Sequence, residues 1–332
     1  MLLSRDDVTR TGAWIASVQL PTGAIPWFVG GHLDPWDHVQ SAMGLAVAGF
    51  EAEALAAFSW LRDAQRPDGT WAATYWPGPH TDRDDNAPEE QRSDANFAAY
   101  VATGLHHAHL LGIDVSPFVP MAERALAAVL EFRRPDGAFT WSRDVDGSFS
   151  VEALVTGNSS IAASLRHAGA WLGERAEWTE AVAGVEAAFR REEEVFTPKP
   201  QFSMDWYYPV LCHVVPDDVA QARIDAGWDT FVVPDLGARC VTPNPWVTGA
   251  ETCELVLALE SIGRRDEALQ LFADMQHLRD PDGSYWTGYV YDDEVRWPVE
   301  QSTWTAATVL LAWDALTRST PAATLFHHPT SP

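Results

Sequence analysis

Two kinds of apolar spacing alternate along this chain. Segments such as residues 51 to 65 repeat apolar positions at helical intervals and keep one charged face, as an outer amphipathic helix does. Between them stand stretches that are apolar nearly all round: DHVQSAMGLAVAG, DANFAAYVATGL, NSSIAASLRHAG, ETCELVLALESIG and EQSTWTAATVLLAWDAL. A helix without a polar face has to be surrounded by protein. Paired in order, the two kinds predict six helical hairpins. They fall near 5 to 19 and 37 to 49, 51 to 65 and 94 to 111, 117 to 133 and 158 to 172, 176 to 193 and 205 to 214, 217 to 231 and 250 to 262, and 265 to 277 and 300 to 317. No strand run of period two competes with this reading, so the expected fold is all-α. It is a single (α/α)6 barrel over 1–318 with concentric rings of inner and outer helices, followed by a tail, 319–332, lying along the outside. Short pieces such as GSYWTGYVY are expected to form β-hairpins at a rim.

The junctions repeat as well. Trp60-Leu61 precede Gln65, Gly69 and Trp71 in WLRDAQRPDGTW; Trp14-Ile15 precede Gln19, Gly23 and Trp27; Leu271-Phe272 precede Gln276, Gly283 and Trp286; and FRRPDGAFTW is a degenerate copy with Arg133 in place of glutamine. Each outer helix thus stops at a Pro/Asp-Gly turn that leads into an inner helix. This spacing resembles the QW repeat of the terpenoid cyclase and protein prenyltransferase superfamily, which shares the (α/α)6 toroid. The resemblance implies an isoprenoid-active enzyme, a cyclase or isomerase initiated by a carboxylic acid. It also implies that Gln19, Gln65 and Gln276 are scaffold residues whose amides satisfy backbone groups at helix ends.

Composition narrows the partners. The chain has 332 residues with 22 basic and 47 acidic side chains, a net charge of −25 and a single lysine, Lys199. Such a balance argues against nucleic acid or an anionic membrane surface. MLLSRDDVTR does not read as a signal peptide and no apolar run reaches the length of a membrane span, so a cytoplasmic protein is expected. Cys212, Cys240 and Cys253 show neither paired spacing nor a zinc signature, and read as small buried residues. Neither a metal nor an organic cofactor is expected, Mg2+ entering as an option only if the substrate is a diphosphate.

Candidate chemistry collects where the inner helices begin. Asp37, Asp94, Asn158, Asp205, Glu251 and Glu300 stand at six corresponding places, five carboxylates and one amide on one rim. Acidic groups suit helix N-termini as caps. Around a narrow mouth, however, like charges raise one another's pKa, which suits an acid and base pair. Asp37, Asp94, Asp205, Glu251 and Glu300 are therefore the catalytic candidates. Asn158 and the aromatic Trp36, Trp206, Tyr207, Trp246, Trp297 and Trp304 are candidates for substrate binding, among 16 tryptophans that concentrate near turns. Asp82, Asp84 and Asp85 spell the DxDD of class II terpenoid cyclases, but in a polar loop rather than on an inner helix; a solvated loop is the bland alternative. His32, Asp34, Asp37 and His38 match no zinc signature. Protein prenylation is put in doubt because the Asp-x-Cys zinc pair is missing: Asp235 and Cys240 stand too far apart.

The substrate is thus expected to be a small molecule, hydrophobic or sugar-like. Arg92, Arg239 and Arg296 form no basic cluster, which disfavours a diphosphate. A carbohydrate-active barrel using two rim carboxylates as acid and base is the alternative to the isoprenoid reading. A non-catalytic binding protein that retains the barrel is the other.

Overall fold

The computed structural model of the protein describes residues 2–77 and 91–327. The outer helices are α1 (Arg5–Val18), α3 (Glu51–Ala64), α5 (Val119–Leu130), α7 (Ala176–Phe189), α10 (Asp217–Phe231) and α12 (Arg265–Asp274). The inner helices are α2 (Pro35–Val47), α4 (Ala95–Leu110), α6 (Val155–Leu172), α9 (Ser203–Leu211), α11 (Gly249–Ser261) and α13 (Thr303–Thr317), and a single turn, α8 (Glu192–Val195), precedes α9. Each inner helix packs on the next and α13 returns to α2, so the ring is closed and the fold is the (α/α)6 barrel that the two kinds of spacing predict. Every residue of α13 from Thr303 to Leu316 is buried, as an inner helix requires.

The repeated turns are the fasteners of this ring. Gln65 Nε2 donates to Gly69 O within its own turn and to Met121 O in the first turn of the next outer helix, both at 3.0 Å. Gln19 does the same with Gly23 O and Glu53 O at 2.9 Å, and Arg133 takes over the role by donating to Glu180 O at 3.0 Å. Gln276 departs from the pattern, bonding Phe272 O in its own helix. The indole of Trp71 is buried and donates to Leu61 O at 2.9 Å. Gly69 has φ +87° and lies so close to α5 that a Cβ there would sit 2.4 Å from Arg124 O. Gly283 makes the corresponding approach to α1 at Arg10, which joins the last hairpin to the first.

Sheet structure is more extensive than hairpins. Strands β1 (Ser93–Asp94) and β2 (Ser142–Arg143) pair, and β3 (Val232–Val233), β4 (Gly237–Arg239), β5 (Trp246–Thr248), β6 (Gly288–Val290) and β7 (Val295–Arg296) form one five-stranded antiparallel sheet in that order. Two loops that lie far apart in sequence, one before α11 and one before α13, are joined by the register Val247 to Tyr289, a pairing no local pattern displays. The tail does not lie along the outside over its described part. Ala322, Ala323 and Leu325 are buried. The carbonyls of Leu325 and Phe326 meet ring nitrogens of His167 and His213 at 3.2 and 2.8 Å, closing the end of the barrel opposite the inner-helix N-termini.

Replacing Gln65 by Ala removes the donor from two partly buried carbonyls. It should cost about 1–3 kcal/mol in urea unfolding. Gly69→Ala should cost at least as much, because it adds left-handed strain to a backbone collision. Unchanged midpoints in both variants would contradict this account of the turns.

Candidate active site at the barrel mouth

The six corresponding places are not equivalent in three dimensions. Asp94 is the N-cap of α4, its Oδ1 accepting from Asn96 N and Phe97 N at 2.8 and 3.2 Å. Asp37, Asp205 and Glu251 are each the third residue of their helices. Glu300 lies ahead of the true cap of α13, Ser302, and accepts from Thr287 Oγ1 at 3.3 Å. Asn158, in the first turn of α6, spends its amide on scaffold: Oδ1 accepts from Phe139 N, and Nδ2 donates to Phe139 O and Leu154 O. Asp82, Asp84 and Asp85 lie outside the described residues.

Two helix faces meet across the axis in rungs. On α2, Asp37 stands one turn before Gln40; on α11, Glu251 stands one turn before Glu254. The deeper rung is in contact, Gln40 Nε2 donating to Glu254 Oε1 at 3.0 Å. Glu254 also accepts from Tyr207 OH at 2.6 Å and Tyr208 OH at 2.7 Å. Gln40 reaches Tyr100 OH at 3.0 Å and accepts from Trp304 Nε1. Five of the six inner helices thereby close the barrel floor. Burial raises the Glu254 carboxyl to about 7, against the pull of the hydrogen bonds from Tyr207, Gln40 and Tyr208. Directly below this floor the void beside Glu254, Tyr208 and Phe326 is only about 10 Å³, and a cavity of about 260 Å³ lies further down, between His106, His167, Cys212 and the tail residues Leu325 and Phe326.

The shallower rung holds two further carboxyls, Asp37 beside Asp34 and Glu251 beside Cys240. Burial, then the charge and hydrogen bond of Asp34, then the charges of Glu254 and Glu251, raise Asp37 well above the usual carboxylate range. Asp34 itself caps α2 by accepting from Asp37 N at 2.9 Å. Glu251 is buried, and its Oε2 has no hydrogen-bond partner among the described residues, as is true of Trp27 Nε1 and Asn96 Oδ1. Orphaned polar atoms of this kind cost about 1–3 kcal/mol each unless a ligand or water satisfies them. Aromatic rings wall the space: Trp36 lies 5.6–6.1 Å from Tyr208, Tyr100 and Phe97, and Trp27 meets Trp304 edge-on at 5.4 Å.

The remaining candidates are placed elsewhere. Trp206 packs outward, stacked on Phe231 and donating to Arg223 O, and Asp205 is held by Thr156 Oγ1 at 2.7 Å beside a separate cavity. Trp246 and Trp297 form an edge-on pair at 5.1 Å on the rim sheet. Burial raises Asp94 to about 6 and also lifts Asp205 and Glu300. His38 is structural, its ring nitrogens meeting Ile25 N and Ala57 O, and burial lowers it to about 4. Among the described residues no group of three or more His, Cys, Asp or Glu side chains is placed to hold a metal ion. Arg239 and Arg296 are tied to the rim through Tyr291 and Asp280, and Arg92 stacks on Trp141.

Gln40, Tyr100 and Glu254 were not singled out in the sequence, and Asp34 only as part of a cluster with His32, Asp37 and His38. The available signal was the lone glutamate of CELVLAL, a charge one turn into a helix that has no solvent face.

No family model matches the chain. It is 47% identical over 332 residues, 98% of its own length and 90% of the other's, to the MMP endo-(1,4)-3-O-methyl-alpha-D-mannosidase of Mycolicibacterium hassiacum. Among solved structures it is similar to a glycosidase in complex with glucose (TM-score 0.74, 15% identity, 94% and 96% of the two chains). It is also similar to a D-mannose isomerase (TM-score 0.73, 12% identity, 95% and 96%). At these identities the two structures speak for the barrel alone. The mannosidase overturns the terpenoid cyclase and prenyltransferase resemblance, and with it the isoprenoid cyclase or isomerase reading. No helix of the described residues is long and apolar enough to cross a membrane.

Because the folded pKa of Glu254 lies above its unfolded value, its contribution to stability is complete below about pH 4.5 and is lost as pH rises to about 7. Between pH 4 and pH 8 the wild type should therefore lose about 3 kcal/mol more unfolding free energy than Glu254→Gln. Equal losses in the two proteins would show that the carboxyl is not held protonated.

Proposed function

Because the chain belongs to the same family as the M. hassiacum MMP endo-(1,4)-3-O-methyl-alpha-D-mannosidase, we propose that it is a glycoside hydrolase. It cleaves internal α-(1,4) bonds between 3-O-methylated mannose units. The observation that carries this reading beyond kinship is the upper rung: Asp37, a carboxyl whose burial and neighbours favour its protonated form, and a second, buried carboxylate oxygen of Glu251 without a partner among the described residues, near the aromatic mouth. Asp37 is the general acid. Burial and the neighbouring carboxylates favour its protonated form, and it delivers that proton to the glycosidic oxygen as the C1–O bond breaks. Glu251 is the general base, taking a proton from the water whose oxygen bonds to C1. One water is consumed, and the proton gained by Glu251 returns to Asp37 through solvent.

Asp37 and Glu251 stand on separate helices, whereas Asp37 and Asp34 share a hydrogen bond. With Glu251 acting on a water rather than on C1, the reaction is direct displacement with inversion. Trp27, Trp36 and Trp304 offer faces and edges on which a sugar ring and its methoxy group can bury apolar surface.

Proton NMR of the first products of a 3-O-methylmannan digest should show the β-anomer ahead of mutarotation; α-anomer at the outset would overturn inversion. Asp37→Asn and Glu251→Gln should each lower kcat by about 10²–10⁴-fold with thermal midpoints preserved. Full activity in either removes that residue from its role.

Asp34→Asn keeps the helix cap but removes a like charge, so it should lower the Asp37 pKa. Activity requires protonated Asp37 and fades as pH rises through that pKa; the alkaline limb of the kcat profile should therefore move to lower pH in this variant. A limb that stays in place would separate Asp34 from the acid.

A further inference from the structure

A second cavity, of about 370 Å³, opens beside the mouth between the start of α9, the outer helix α10 and residues 192–200. Its apolar walls are Phe196, Trp206 and Phe231, the last two stacked at 5.2 Å and 18°. These walls are held in place from behind. Arg223 grips Glu192 with two bonds of 2.8 and 2.9 Å and reaches Asp205 O and Trp206 O, while Trp206 Nε1 is anchored on Arg223 O at 2.7 Å. With Arg223 paired to Glu192, the polar side chains left on the lining are Asp205, Lys199, Glu193 and Thr230. Asp205 has one oxygen held by Thr156 and takes no hydrogen bond on the other from the described residues. Lys199, the chain's single lysine, makes no ion pair among them. A preformed, largely apolar pocket with a few fixed polar groups is the usual form of a small-ligand site.

Position links it to the mouth. Asp205 is the third residue of α9 as Glu251 is of α11, and these two inner helices are neighbours in the ring, so both sites open on one face. That face is unusually apolar. The exposed large apolar side chains among the described residues, Leu2 and Val219 apart, all stand on its loops: Val29, Val145, Phe149, Val151, Phe202, Val295, Trp297 and Val299. Val151 and Phe202 do not line the cavity but stand in chain segments next to it: Ala153 O accepts from Thr197 N, and Phe202 leads into α9. Scattered single apolar residues need no explanation, but a crown of them around one rim marks a contact surface. For an unmethylated polyol this crown offers little, whereas methoxy groups along a neutral chain would bury against it.

We propose that this cavity is a distal subsite that takes one O-methylated hexose of the chain being cut. The methoxy group lies against Phe196, Trp206 and Phe231, and the hydroxyls meet Asp205 and Lys199. The inference rests on the mannosidase reading and deepens it. A polymer anchored off-axis lays an internal bond, rather than an end, across the Asp37 and Glu251 rung.

The test fills the cavity from its exposed side. Ala226 and Thr230 are exposed residues of α10 that line it, so Ala226→Trp and Thr230→Trp place an indole in the space without entering the core. Kinetics are compared on a 3-O-methylmannan polymer and on its tetrasaccharide, with circular dichroism confirming the fold of each variant. The expected result is a rise of about tenfold in polymer KM at constant kcat, about 1.4 kcal/mol of binding, with tetrasaccharide kinetics unaltered in both variants. Polymer and tetrasaccharide responding alike, or neither responding, in variants of an active wild type overturns the subsite and leaves the mannosidase reading standing. A wild type that cleaves neither substrate removes the mannosidase reading and the subsite together.

Discussion

The deepest constraint on this molecule is the carboxyl of Glu254 on the barrel axis. Three donors, Tyr207, Tyr208 and Gln40, come from two other inner helices, and Gln40 is itself fixed by Trp304 and Tyr100 from two more. A buried carboxyl without these partners would be costly, so the network rewards only the arrangement in which the helices stand at their observed rotation about their own axes. Fixing that rotation also fixes what lies one turn nearer the mouth. Asp37 and Glu251 are presented to each other because Gln40 and Glu254 already touch.

Floor and mouth are thus coupled in electrostatics as well as geometry. The charges of Glu254 and Glu251 help to keep Asp37 protonated, and Glu251 in turn raises Glu254. The hydrogen-bonded floor, with the tail packed on the far end, leaves approach to Asp37 and Glu251 from the rim. There the aromatic walls and the apolar side chains of the rim loops line the approach, and the bound arginines leave little to hold a diphosphate.

The repeat that suggested terpenoid cyclases is real as architecture and uninformative as ancestry. Any ring of helical hairpins must stop each outer helix, turn the chain without a Cβ where two backbones nearly touch, and satisfy carbonyls at the junction with the next hairpin. Gln65, Gly69 and Trp71 meet those needs. Arg133 meets the carbonyl requirement equally well without being glutamine, so the pattern answers to packing. Kinship became evident only when the whole length was compared with a mannosidase, because similarity across 98% of the chain includes the rim, where chemistry differs between barrels that share turns.

By itself the sequence determined the barrel, its six hairpins and the end at which acidic and aromatic groups gather, because helical periodicity and turn chemistry are local and are written in consecutive residues. It could not tell Asp94, which caps a helix, or Asn158, which ties two loops, from Asp37 and Glu251, since all four are polar residues at the start of an inner helix. Only the tertiary structure decided between them. The rotation of each inner helix is set by contacts between residues as distant in sequence as Gln40 and Glu254, and no stretch of chain carries that information alone.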